Sequence, residues 1–206
     1  MRLPPFDTYG IDDEQVLCLK ETCEMLSEKY RTQVVNLHQR KDLVNAYLKG
    51  FEGNIAGVLL IDNQFKQCLL VILKVMFQGS RLFMPNPELR HNTLRVVALA
   101  RLKRNFGTVF IRRKTLTDRL LNPFLPVALN FKGFKSFNRQ FYVTSDDPER
   151  ALQVIDARVI ELLMNLCKQD FAVNITGRQL VVEGLIMLDP AQTLKLAEFA
   201  SCMAAV

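Results

Sequence analysis

The 206-residue chain has no tryptophan, only two histidines and no cysteine pair at C-x-x-C spacing. His38 and His91 are far apart, with no carboxylate at metal-ligand spacing beside either, so no zinc site is expected. The five cysteines (Cys18, Cys23, Cys68, Cys167 and Cys202) are odd in number and scattered, which argues against a disulfide framework. They read as small core residues in a reducing compartment. Long apolar runs are missing too. The longest, Cys68 to Phe77, is interrupted by Lys74 and falls far short of the ~20 residues that cross a bilayer. Met1 to Glu14 carries four acids and no apolar stretch, so it does not read as a signal peptide, and a cytoplasmic protein is expected. Neither G-x-x-x-x-G-K-[ST] nor G-x-S-x-G occurs, which removes the two commonest signatures of phosphate cradling and of a serine nucleophile.

What is present is an ordinary globular composition, 49% apolar and 23% charged, which excludes a disordered or fibrous chain. After an irregular leader, Asp12 or Asp13 is placed to cap a helix. No glycine or proline then occurs from Glu14 to Leu48. Val16, Leu19, Cys23, Leu26, Tyr30, Val34 and Leu37 recur at steps of three or four, so the spacing predicts one long helix, with a break around Gln39–Lys41. Val58–Ile61 and Leu69–Val75 read as strands joined around Asp62–Asn63–Gln64. Gly79–Ser80 and Pro85–Asn86–Pro87 punctuate the chain before the apolar segment Leu94–Leu102. Thr108–Ile111 is a strand, Asn122–Pro123 and Pro126 bracket a loop, and Phe137–Thr144 is a further strand. The last third is the best specified. Asp147–Pro148–Glu149 opens a helix whose apolar stripe is Leu152, Ile155, Val159, Leu162, Leu163 and Leu166. Phe171, Val173, Ile175, Leu180 and Val182 alternate around Thr176–Gly177–Arg178–Gln179, a β-hairpin. Asp189–Pro190 starts a short C-terminal helix reaching about Met203.

Charge is segregated along the chain. Residues 1–30 carry a net −4, 31–89 a net +3, 90–139 a net +11 and 140–206 a net −4. Twelve Lys/Arg stand in 90–139 against the single acid Asp118, interleaved with Phe106, Phe110, Phe131, Phe134 and Phe137. Cations mixed with flat rings suit a phosphate backbone with stacked bases, and equally an anionic headgroup surface. The plain alternative is a solvated face balanced by the acidic ends of the same fold. Alternation on a strand assigns Arg112 and Lys114 to one side and Ile111 with Arg113 to the other. Ile111 is therefore expected in the core, with the strand ending or bulging at Arg113. Arg101, Lys103, Arg112, Lys114 and Arg139 form the candidate anion-binding set.

The other clusters have structural explanations. Gly50, Gly53 and Gly57 lie after a helix and before a strand, the reverse of a phosphate loop, and suit a helix end and the start of a strand. Asp146, Asp147 and Glu149 resemble a carboxylate pair, but a helix beginning at Pro148 needs a capping acid there.

Phe106–Gly107–Thr108–Val109–Phe110–Ile111, followed by Phe137, Phe141, Val143, Ser145 and Asp147 in order, resembles a bacterial domain of unknown function. That family carries an F-x-G strand, an F-x-x-x-F-x-V-x-S-x-D segment, a helix and a hairpin, a pattern covering residues 50–188 here. The resemblance implies the same strand, helix and hairpin order. It supplies no activity, substrate or site residue. Its members often carry transmembrane segments near the N-terminal helix, and this sequence has none.

Strands in a run with helices at both ends predict an α+β fold: a long N-terminal helix, a mainly antiparallel sheet, a helix plus β-hairpin and a short C-terminal helix. Residues 1–49 are expected to form an N-terminal helical segment and 50–206 the α+β domain. The expected role is a non-enzymatic binding domain that meets an acidic protein or anionic membrane surface through the 90–139 region. The alternative is nucleic-acid binding by the same basic and aromatic face, and the third reading is an enzyme of unknown type. No catalytic, cofactor-binding or metal-ligating residue is assigned, and no cofactor is expected.

Overall fold

The computed structural model describes residues 6–36, 44, 53–63, 66–76, 92–115, 128–166, 170–185 and 187–206. Helix α1 spans Asp13–Lys29, and the strands are β1 (Arg31–Val34), β2 (Asn54–Asn63), β3 (Lys66–Met76), β4 (Asn92–Arg101) and β5 (Thr108–Arg113). A short helix α2 (Lys135–Gln140) leads into β6 (Phe141–Ser145). Helices α3 (Pro148–Val154) and α4 (Ala157–Asn165) precede the hairpin of β7 (Phe171–Thr176) and β8 (Gln179–Gly184), and α5 (Pro190–Met203) closes the chain. The described strands form one sheet in the order β1-β2-β3-β4-β8-β7-β5-β6, antiparallel at every pairing. The α+β class and antiparallel sheet are therefore as the sequence predicts.

Both faces of this sheet bury apolar side chains. One face, with Leu59, Ile61, Leu70, Ile72, Val96, Ala98, Val109, Ile111, Val173, Val182 and their neighbours, shares a core with α1, α4 and α5. On the other face Val58, Val71, Leu73, Val97, Leu99 and Val181 gather with Val44 into a second, smaller cluster. That double burial explains why Val96–Ala100, at the centre of the Leu94–Leu102 segment, is apolar at every position with no alternation. Helix α1 and strand β1 belong to the same core and sheet as the strands that follow.

The long N-terminal helix ends sooner than its spacing predicts. Asp12 caps it as expected by accepting from the Gln15 amide (2.8 Å), and Leu19, Cys23 and Leu26 point into the core. Tyr30 then turns extended, its amide closing the last turn on Leu26, and Arg31–Val34 become β1. Aromatic and β-branched residues crowd Tyr30–Val35, and pairing with β2 satisfies their backbone, so sheet formation overrides the helical period. The expected break at Gln39–Lys41 lies outside the described residues, as do the 79–87 and 122–126 turns.

Two further expectations need correction. Phe137–Thr144 is not one strand. Phe137 sits on α2 and only Phe141 onward is extended, because a step of four suits a helical turn as well as a strand, and the Phe137 and Phe141 rings stack 4.9 Å apart. The stripe from Leu152 to Leu166 belongs to two helices. Asp156 interrupts it by accepting from the Arg158 (3.0 Å) and Val159 (3.1 Å) amides, starting α4 afresh. Ile155, Val159, Leu163 and Leu166 remain buried, while Leu152 is exposed.

The segment before α1 is pinned across the outer side of β2. The Phe6 ring lies against Gly57, where the β2–β3 register shifts, and the Asp7 amide donates to Ala56 (2.8 Å). The Lys74 ammonium, almost fully buried, pairs with the Asp7 carboxylate and donates to the Tyr9 carbonyl (3.3 Å). A Cβ at position 57 would overlap the Phe6 ring. Gly57→Ala should therefore cost about 1–3 kcal/mol by overpacking. Combined with Phe6→Ala it should cost clearly less than the two single losses added, as read from denaturant midpoints.

Candidate functional site

The five residues of the candidate anion-binding set separate into two groups. Arg101 ends β4, and a single row runs across the sheet from it through Gln179 and Thr176 to Thr108 at the start of β5. Arg112 lies four residues further along β5. Three strand spacings and four residues of rise place Arg101 and Arg112 about 20 Å apart. Lys103 stays with Arg101, its ammonium donating to the Ala205 carbonyl (2.9 Å). Arg112, Lys114 and Arg139 come together at the other end.

That second group is built by the junction of β5, α2 and β6. Ile111 is buried and Arg113 is the last residue of β5, so the strand ends where the expected alternation requires it. The Arg112 guanidinium lies over the Tyr142 ring, 4.9 Å from its centroid, and donates to the Arg113 carbonyl (3.1 Å). Past the strand, the Lys114 amide donates to Gln140 (2.8 Å) and its ammonium to the Asn138 carbonyl (2.7 Å), fastening the chain to α2. Lys135 and Arg139 stand one turn apart on α2, both exposed, and Lys132 is exposed in the preceding turn. Lys132 and Lys135 belong to the twelve-residue basic block but not to the five-residue candidate set. Their signal is their place in the same turn-and-helix as Arg139, which is visible only once Phe137 is assigned to a helix.

Three other cations of the 90–139 block are matched by acids: Arg95 with Glu183 (4.0 Å), Arg104 with Asp156 (3.2 Å) and Arg113 with Asp170 (3.9 Å). Burial pushes the Glu183 carboxyl up, and the Arg95 charge offsets this in part. Arg90 and Arg119 lie outside the described residues. Most rings of the block serve the core, while Phe110 is half-buried on the Arg112 side of β5. Phe106, Phe131 and Phe137 are buried, and Phe131 packs edge-on against Phe137 at 5.4 Å. Phe131 and Phe137 anchor α2 beneath the cations, and none of these three rings faces solvent as a stacking platform.

The remaining candidates fill structural positions. Asp147 caps α3 by accepting from the Arg150 amide (3.1 Å), as expected. Asp146 accepts from the Thr108 amide (3.0 Å), and Ser145 donates to the Thr108 carbonyl (2.8 Å), so the Ser145–Asp147 motif ties β6 to the start of β5. Among the described residues no group of three His, Cys, Asp or Glu side chains is arranged to hold a metal, and His38 and His91 lie outside them. The described cysteines are free thiols, and burial pushes Cys23 and Cys68 up to about 11, away from thiolate character.

No family model and no curated protein sequence matches the chain at a significant level. The fold is shared with a solved structure, the mycobacterial trehalose monomycolate transport factor A, TtfA. The two superpose with a TM-score of 0.52 at 11% identity, over 90% of this chain and 92% of that one. At that identity the likeness is one of fold.

Asp147→Ala should lower stability by about 1 kcal/mol, the cost of a lost helix cap, with no separate loss of binding. Melting and polyanion retention measured on the same preparation check both halves. Acid should act similarly. Hydrogen bonding to Lys74 holds Asp7 below the usual carboxylate range, and the contacts with Thr108 do so for Asp146. For Asp156, burial pushes upward, but the Val159 and Arg158 amides and Arg104 outweigh it. Each of these acids takes up its proton less readily folded than unfolded. Their contribution is therefore complete above the unfolded value of about 4 and is lost as pH falls through the lower folded values, which denaturant midpoints between about pH 5 and 2 would show.

Proposed function

We propose that the protein is a non-enzymatic binding domain that docks an anionic partner, an acidic protein or a membrane surface, through the corner where β5, α2 and β6 meet. The observation that carries this reading is the convergence of Arg112, Lys114, Lys132, Lys135 and Arg139 there, with Lys132, Lys135 and Arg139 exposed. The Lys114 ammonium is held by the carbonyl of Asn138, a neutral group that orients the charge without cancelling it. Nucleic acid is the weaker reading, because the aromatic side chains that would stack bases are mostly in the core. The mycobacterial protein of like fold is named as a transport factor. At 11% identity its cargo is not carried over.

The same reading places the domain in the cytoplasm, in keeping with its free cysteines. Among the described residues no helix is long and apolar enough to cross a membrane. It also includes the motif resemblance to bacterial domains of unknown function, whose Ser145 and Asp147 here serve the architecture that presents the corner.

The test uses heparin, vesicles containing an anionic phospholipid, and single-stranded DNA, each at two salt concentrations. Lys135→Glu with Arg139→Glu should abolish retention on the anionic surfaces while leaving the melting temperature unchanged, since both side chains are exposed. The equivalent reversal of Arg101 and Lys103, about 20 Å away, should have a much smaller effect. Parent binding should fall steeply with salt. Equal retention of both double variants would reduce the basic block to a solvated face.

A further inference from the structure

The sheet has two edges, and they are finished differently. On the outer side of β6 the Leu129 amide donates to the Val143 carbonyl (2.8 Å), so a preceding stretch of chain covers that edge. On the outer side of β2, the Asp7 amide on Ala56 does the same where β1 no longer reaches. Among the described residues strand β1 itself has no such cover. The Val35 amide donates to the Val58 carbonyl (2.9 Å), which fixes the parity of the β1–β2 ladder. Gln33 and Arg31 turn their main-chain groups to Leu60 and Asp62, while those of Thr32 and Val34 point away from the sheet. Among the described residues no backbone hydrogen bond reaches the main chain of Thr32 or Val34, and Val34 is exposed.

An open edge invites another strand, and proteins ordinarily blunt it with lysine, proline or a bulge. Of such devices β1 has only its short length and the flanking Arg31. We propose that β1 pairs with β1 of a second copy of this chain, antiparallel about a two-fold axis through Gln33. In that register Thr32 faces Val34 of the partner copy, and each pair exchanges two hydrogen bonds. All four outward-pointing groups of each β1 are then satisfied. Arg31 falls opposite Val35 and not opposite another Arg31, so no like charges meet across the seam. Thr32 and Val34 lie on the face that carries α1. The last turn of α1 is drawn inward, since Lys29 pairs with Glu198 of α5 (3.1 Å).

The outward direction of these amides makes a clean test. Proline at position 34 removes a donor that β2 does not use, which an edge strand tolerates, whereas it deletes two of the four bonds across the seam. Sedimentation of the full chain over a concentration series should show a monomer–dimer equilibrium little affected by salt. Val34→Pro should weaken it about tenfold or more, with unchanged melting of the dilute monomer. Gln33→Glu places two carboxylates on the axis. It should weaken the dimer at neutral pH and restore it below about pH 4, a readout independent of whether the proline variant folds. Lys135→Glu with Arg139→Glu should leave the dimer intact. A parent that stays monomeric to millimolar concentration would overturn the proposal. So would assembly beyond a dimer, or a dimer indifferent to both β1 variants.

Discussion

The pairing of β4 with β8 holds the fold together. Five residue pairs, from Val97 opposite Glu183 to Arg101 opposite Gln179, join the run β1-β2-β3-β4 to the run β8-β7-β5-β6. Without that seam the chain would be two four-stranded sheets, each with an apolar edge. Helix α5 follows β8 directly and lies across β3, β4 and β8, so the last helix roofs the seam that the last strand closes. Because β4 and β8 lie some eighty residues apart in the chain, the contact is costly to form early, and such topologies fold slowly. The seam also sets the separation of the candidate cations, since it puts β8 and β7 between Arg101 on β4 and Arg112 on β5.

Much of this architecture was legible where a residue type has one strong local role. Asp12, Asp147 and Asp189 cap helices, and proline follows two of them at once. The Gly177–Arg178 turn closes the predicted hairpin, with Gly177 in the left-handed region at φ 62°. Sequence reasoning failed where a spacing fits two periods. Tyr30 to Val34 and Phe137 to Phe141 are both steps of four, and each continued a stripe that looked helical or extended according to what preceded it. Asp156 was missed because the apolar stripe of the two helices runs past it, although an aspartate in mid-helix is itself a cap signal.

The candidate site was half legible for the same reason. Charge segregation is a one-dimensional property, and the sequence displays it fully. Convergence depends on which end of which strand each cation occupies, and on an order in which β5 sits beyond β8 and β7. Alternation assigns Arg112 and Lys114 to one side of the strand, and the structure sets Arg112 over Tyr142 of β6 and Lys114 on the Asn138 carbonyl of α2. That Arg101 and Lys103 lie at the opposite end follows only from the registers of β4, β8, β7 and β5. The rings of the block misled in a second way. Phe131 and Phe137 stand among cations in sequence yet face inward, because the short helix α2 needs an apolar underside to stay on the sheet.

The two surfaces singled out lie at opposite ends of one sheet, and their chemistries are independent. In the proposed readings, the basic corner would bind by long-range charge that salt screens, while the β1 edge would pair by main-chain hydrogen bonds at contact distance. Seven strand spacings, about 34 Å, separate β1 from β6. An antiparallel pair formed about an axis normal to the sheet keeps equivalent faces on the same side. Two copies joined at β1 would therefore present their basic corners about 70 Å apart on one continuous sheet. A single corner of a few exposed cations binds weakly, at most about 1 kcal/mol for each cation near an anionic surface. Two corners engaging the same extended surface gain by effective concentration, whereas a small monovalent anion gains nothing from the second. A sheet that, among the described residues, has one covered edge and one open one would suit the proposed dimer to making a weak charged contact into a strong one, provided the partner is large enough to span both corners.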